Sequence, residues 1–173
     1  MDALQKYSIQ FIGLKIGEHT YSYPIDNRFF ENYKYDDFQS IACDVYLNLV
    51  KKANLMEVQM HIVGKAVLQC DTTNEAFDEP LDTQLNFIVK FGDYYDDTRD
   101  DVLIIPRNAF EFNVAQYIYE AIVLALPVKR VHPGLLDGTL KSIVLDKLKE
   151  LEIKDKTEEI DPRWDKLNNL LTK

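Results

Sequence analysis

Two cysteines, three histidines and a run of aspartates are the residues of this 173-residue chain whose types could do chemistry. Zinc needs three or four Cys, His or carboxylate donors brought together by short spacings. Cys43 and Cys70 stand far apart, and His19, His61 and His132 are scattered, so no closed site is spelled out. The stretch from Asp93 to Asp101 holds five aspartates and Arg99, and carboxylates do bind divalent cations. It lacks the ligand spacing and glycine turn of a calcium loop, and reads as a solvated acidic loop. Serine occurs at Ser8, Ser22, Ser40 and Ser142, never in a nucleophile elbow, and no Gly-rich phosphate loop, dinucleotide fingerprint or His-Glu-x-x-His is present. His61 falls on a polar strand face and reads as an exposed side chain. Cys43 falls on an apolar face as a small hydrophobe. Cys70 ends a strand beside a turn, with nothing in the neighbouring sequence to activate its thiol. The chain therefore reads as a non-enzyme that needs neither cofactor nor metal.

Charge narrows the partners. Net charge is −9, and it is unevenly spread: Met1 to Val128 carries 20 acidic and 10 basic residues, whereas Lys129 to Lys173 carries 9 and 10. Phosphate binding depends on Lys and Arg displacing counterions, so the acidic body disfavours DNA and bare RNA. Basic proteins are attracted instead, although acidity also serves solubility. No apolar run approaches the ~20 residues that span a bilayer, so no membrane partner is expected. Met1 to Tyr7 lacks the regions of a signal peptide, and a cytoplasmic location is expected.

The elements that must position these residues follow from periodicity. Tyr7, Ile9 and Phe11 alternate with polar neighbours, Leu14 and Ile16 continue the run, and Thr20 to Tyr23 returns after Gly17-Glu18, which predicts a β-hairpin. Asp26 is placed to cap a short turn carrying Phe29 and Phe30. Three period-two runs then predict an antiparallel meander: Ile41 to Leu49, Met56 to Leu68 and Leu81 to Phe91. Gly64 inside the second suggests a bulge or bend. Val102 to Ile105 reads as a further strand stopped by Pro106.

A helix is predicted from Asn113, its N-cap with Gln116 as capping-box partner, to Leu126, where Pro127 ends it. It turns apolar all round near its end, which should therefore be buried. Beyond it, Pro133-Gly134 and Asp137-Gly138 read as breakers, and Leu140, Ile143, Val144, Leu148 and Leu151 line an amphipathic helix. Lys154 to Glu159 reads as linker. Asp161 followed by Pro162 starts a last helix with Trp164, Leu167, Leu170 and Leu171 as its stripe. The expected fold is α+β: an antiparallel β-meander sheet packed by a central helix, with a helical C-terminal tail. Residues 1–128 make the acidic body (hairpin, meander, helix) and 129–173 the tail.

Three segments, taken in order, resemble the YceD family, named for large ribosomal RNA subunit accumulation. Val63-Gly64-Lys65-Ala66-Val67-Leu68-Gln69-Cys70-Asp71 is similar to the family's strand leading to a cysteine at a turn. Tyr119-Glu120-Ala121-Ile122-Val123-Leu124-Ala125-Leu126-Pro127-Val128, followed by His132, resembles its Glu-x-x-x-Leu-x-Leu-Pro helix end. Ile160-Asp161-Pro162-Arg163-Trp164-Asp165-Lys166-Leu167 resembles its C-terminal Asp-Pro-Arg helix. The chain departs from the pattern at Thr73, where many members carry the second cysteine of Cys-x-x-Cys, and from Val131 to Glu159, where their later cysteines are absent. It thus looks like a Bacteroidetes-like member, and any metal site of those relatives does not transfer.

The resemblance implies a bacterial ribosome biogenesis factor that supports large-subunit ribosomal RNA accumulation and large-subunit assembly without catalysis. The family's gene often adjoins that of a large-subunit ribosomal protein, which implies such a protein, or a precursor large subunit, as partner. Whether RNA is touched directly stays open. The residues singled out for partner binding are Asp96, Asp97, Asp100 and Asp101 of the acidic stretch, with His132, Arg163 and Trp164. Alternatives are a generic acidic adaptor or chaperone, and a small-molecule carrier with a cavity in the sheet.

Overall fold

The computed structural model describes residues 4–99 and 101–151, and in it the three period-two runs become one meander: β3 (Ser40–Lys51), β4 (Leu55–Gln69) and β5 (Ala76–Gly92). Alternation sends Val45, Leu47 and Leu49, Met56, Val58 and Met60, and Phe87 and Val89 to one face, none more than 3% exposed. Burying each such side chain contributes about 1.5–3 kcal/mol before chain entropy is charged against it. Gly64 makes no bulge. Cys43, Gly64 and Leu81 sit opposite one another in unbroken register. A Cβ at Gly64 would run into Ala42 O and the Cys43 Cα and Cβ, so the glycine is there for close approach of β3.

The N-terminal hairpin does not form. β1 (Ser8–Gln10) pairs instead with β8 (Glu111–Asn113), while β2 (Gly17–Asp26) pairs along its whole length with β3. Each partner choice has a burial reason. β2 gains ten register positions on the free edge of β3, and Tyr7, Ile9 and Phe11 are each no more than 3% exposed. Lys51 Nζ fastens the intervening loop by donating to the carbonyls of Phe11 and Leu14, at 2.7 and 2.8 Å. Pro24 is tolerated because β2 is an edge strand.

The acidic stretch is likewise not a plain loop. β6 (Asp96–Arg99) forms the opposite edge of a six-stranded sheet of order β2-β3-β4-β5-β7-β6. β7 (Val102–Pro106), inserted between β5 and β6, runs parallel to β5, the one parallel pair in the sheet among the described residues. Charged side chains on an edge strand discourage pairing with another chain's edge.

α1 (Asn27–Glu31) starts at Asp26, whose carboxylate accepts from the Arg28 amide at 3.1 Å. Its Phe30 meets Phe38 edge-to-face at 4.8 Å. α2 (Ala115–Ala125) lies over β5, with Ile118 and Ile122 buried and Tyr117 stacked on Phe87 at 4.3 Å. Asn113 Oδ1 accepts from the Ala115 amide at 2.8 Å, as a cap would, but Gln116 donates to Glu120 rather than back to the cap. Leu126 is buried, yet Leu124 is 84% exposed, so the end of α2 is covered on one side only.

Pro133-Gly134 does not break structure. It opens the short α3 (Pro133–Leu136), with proline at its start and His132 as N-cap. α4 (Ile143–Leu151) is the expected amphipathic helix, but Ile143 and Leu151 are each 77% exposed, so its stripe is not packed on the sheet. The linker at Lys154 to Glu159 and the helix expected from Asp161 lie outside the described residues.

Candidate functional site

Cys70 sits where β4 turns into β5, and three distant segments meet there. The turn is closed by the Cys70 amide donating to Glu75 O at 2.9 Å and the Asn74 amide donating to Cys70 O at 2.8 Å. Asn74 takes the left-handed φ of 59° that asparagine accepts more readily than most residues. The chain after α2 then lies against the turn. The Asp71 amide donates to Arg130 O at 2.9 Å, the Arg130 amide donates to Asp71 Oδ2 at 2.8 Å, and the His132 amide donates to Cys70 Sγ at 3.4 Å. Arg130 also reaches Asp37, donating to its carbonyl at 2.8 Å and its carboxylate at 3.1 Å.

Burial pushes the Cys70 thiol up, but the Thr73 hydroxyl and the amides of His132, Thr73 and Thr72 outweigh it and bring the thiol down to about 7. A sulfur so held is stabilised as thiolate, yet at 2% exposure it offers no approach to an outside electrophile. The donors do not make a metal site. Thr73, 4% exposed, presents a hydroxyl where a second thiolate would be needed, and His132 Nδ1 already accepts from the Gly134 amide at 2.9 Å. No group of three His, Cys, Asp or Glu able to hold a metal occurs among the described residues. His132 is thus a cap and a brace, its ring 5.7 Å from that of Phe77.

The other singled-out residues do not gather around this turn. Asp96 accepts from the Thr98 hydroxyl at 2.7 Å and amide at 3.0 Å, which hold its carboxyl below the usual carboxylate range. Asp97 accepts from the Tyr95 hydroxyl at 3.2 Å, and Asp101 takes part through its carbonyl, which accepts from the Ile88 amide at 2.9 Å. Asp100, Asp161, Pro162, Arg163 and Trp164 lie outside the described residues. Glu120 is on α2 and accepts from Gln116 at 2.6 Å, and Leu126 and Pro127 end that helix.

One surface was not visible as a unit in the sequence. The sheet face turned away from α2 carries two aligned rows of polar side chains. Register places Thr20, Asn48, Gln59 and Asn86 in one, and Ser22, Tyr46, His61 and Gln84 in the next. The sheet is concave here and encloses about 670 Å³. Asn48 Oδ1 is shut from water without a donor among the described residues. Each polar residue was legible on its own strand. Their alignment needed the register.

A family model described as "Large ribosomal RNA subunit accumulation protein YceD" matches residues 58–171. The chain belongs to the YceD family. The match takes in most of β4, the Cys70 turn, β5, α2 and α4, and extends over Asp161 to Trp164. No curated protein and no solved structure matches the chain. The YceD name points to large-subunit ribosomal RNA accumulation as the family's role. Among the described residues no helix is long and apolar enough to cross a membrane.

Proposed function

We propose that this chain is a non-catalytic ribosome biogenesis factor of the bacterial cytoplasm, which supports large-subunit assembly by binding a large-subunit ribosomal protein or a precursor particle. The observation that carries the reading is the YceD match over residues 58–171. The charge distribution supports a protein contact: 20 acidic against 10 basic residues up to Val128 favour a basic partner over a phosphate backbone. The acids of the β6 edge, the His132 segment and the Arg163–Trp164 segment are the proposed contact residues. The carrier alternative calls for a deep apolar cavity; the concavity of the sheet is open to solvent, and Tyr21, Tyr46, Leu47 and Met60 line it together with amides, hydroxyls and His61.

The test is affinity purification of the full chain at low salt, with eluate RNA and proteins identified, beside co-sedimentation with precursor large subunits. Large-subunit proteins retained after nuclease treatment are the expected result. An eluate free of ribosomal components, with no co-sedimentation, would overturn the reading in favour of a general adaptor.

A further inference from the structure

We infer that the concave face of the six-stranded sheet, left uncovered by the described residues, is a further docking surface for the partner beside the contact residues proposed above, and that its occupant is an extended, arginine- or lysine-bearing protein segment laid across β2 to β5. The inference rests on the proposed binding role and gives it a site.

Size is the first argument. Neighbouring strands lie ~4.8 Å apart, so four strands span roughly 15 Å, which an extended chain at ~3.3 Å per residue crosses with about five residues. The concavity of about 670 Å³ lies within the range of ligand sites and is open to solvent.

Chemistry is the second. The two aligned rows present amides and hydroxyls, which both donate and accept, so they suit a peptide backbone exposing its own N–H and C=O groups. Tyr46, 53% exposed, stands in the middle with its ring available to a cation, and Val63, 39% exposed, lies diagonally beside it. Asn48 Oδ1, without a donor among the described residues, would gain one if the carboxamide turned towards an incoming N–H.

Charge decides the class of occupant. The rows flanking these two hold Glu18, Asp44, Glu57 and Asp82, with no lysine or arginine at the aligned positions. Glu57 is paired with Lys52 and Asp82 with His61, whereas Glu18 and Asp44 have no ion-pair partner among the described residues. Lys65 and Lys90 lie further out, and Lys65 is engaged by Asp78 at 2.6 Å. A nucleic-acid backbone would meet carboxylates on both sides of the groove, whereas a basic segment would meet complementary charge.

The test uses the full chain in two arms. A photoreactive phenylalanine analogue replaces Tyr46 in cells, with the same analogue at Val128, which is fully exposed, as control. The expected result is a protein adduct from position 46 only, mapping to a Lys/Arg-rich stretch of one partner. An RNA adduct at position 46, or adducts equally strong at 128, overturns the inference. In the second arm a labelled peptide of alternating arginine and serine is titrated against the parent and against D44K/D82K, both exposed positions. About tenfold weaker binding by the double variant, at unchanged melting temperature, is expected. Equal affinities overturn the inference. If precursor subunits still co-sediment with D44K/D82K as with the parent, this face is not the site although the ribosomal role stands. If D44K/D82K loses the peptide but the parent sediments with no precursor, the docking face stands and the ribosomal role fails.

Discussion

The amide of His132 donates to the sulfur of Cys70 across 62 positions of sequence, at 3.4 Å, and so ties the start of the tail to the turn between β4 and β5. The sulfur is an acceptor in a ring of donors, and its chemistry is structural. That relationship gives the first prediction.

Cys70 ionises at about 7 in the folded chain against 9.0 for an ordinary thiol, so folding favours its thiolate. The sign follows from linkage: the stabilisation is fully present above pH 9 and is lost as pH falls through 7. Cys43 is opposite. Burial, with Asp44 beside it, pushes its thiol up to about 12, so its contribution is present below pH 9 and lost as pH rises towards 12. Thermal melts should therefore show the melting temperature rising between pH 7 and 9 and declining above. Cys70→Ser should flatten the rise and leave the decline. A rise that persists in Cys70→Ser would mean that the Thr73 and amide donors do not hold a thiolate.

Gly64→Ala should destabilise by about 1–3 kcal/mol, because its Cβ would meet the Ala42 carbonyl and Cys43 on the adjacent strand, neither a flexible side-chain end. Gly13→Ala is the control, since a Cβ there meets nothing within 4 Å. Urea unfolding of both variants checks this. Equal midpoints would show that β3 and β4 can separate without cost.

Asparagine in place of Asp96, Asp97 and Asp101 should slow association with a basic partner and weaken its dependence on salt, since exposed charges act through long-range attraction that ions screen. Removing charge from the edge strand should also raise self-association, read by light scattering. A salt series in which parent and variant associate at the same rate would assign the acids to edge protection alone.

For the segment beyond the described residues, Trp164→Ala is expected to lower the melting temperature if the stripe of Trp164, Leu167, Leu170 and Leu171 docks on the sheet, since truncating a Trp in a core costs about 3–5 kcal/mol. Arg163→Ala is expected to melt like the parent while weakening precursor association. Melts beside pull-downs decide between packing and contact. A Trp164→Ala chain that melts like the parent sinks the packing half of the expectation.

What the sequence determined by itself was local. Alternation in Ile41 to Leu49, Met56 to Leu68 and Leu81 to Phe91 dictated strands and named their buried faces, because a period of two depends only on neighbouring residues. The cap at Asp26 was legible for the same reason, since a carboxylate reaches backbone two residues on; at Asn113 only the bond to the Ala115 amide was, because Asn113 closes β8 and Val114 is the N-cap of α2. The acid excess, and the three segments that mark the YceD family, were also in the residues.

Tertiary structure decided whatever depends on partners remote in sequence. β1 left the expected hairpin for β8 because the edge of β3 offered β2 a longer ladder. The aspartate stretch became an edge strand only because β7 entered beside β5 and left its own outer edge to be paired. Gly64, read as a bend, turned out to be a close approach, since the contact lies on another strand. The rows through Asn48 and Tyr46 exist only once register aligns four strands, each polar on its own for an unremarkable reason. Side-chain period is written along the chain, while pairing and register are set by the burial available across it.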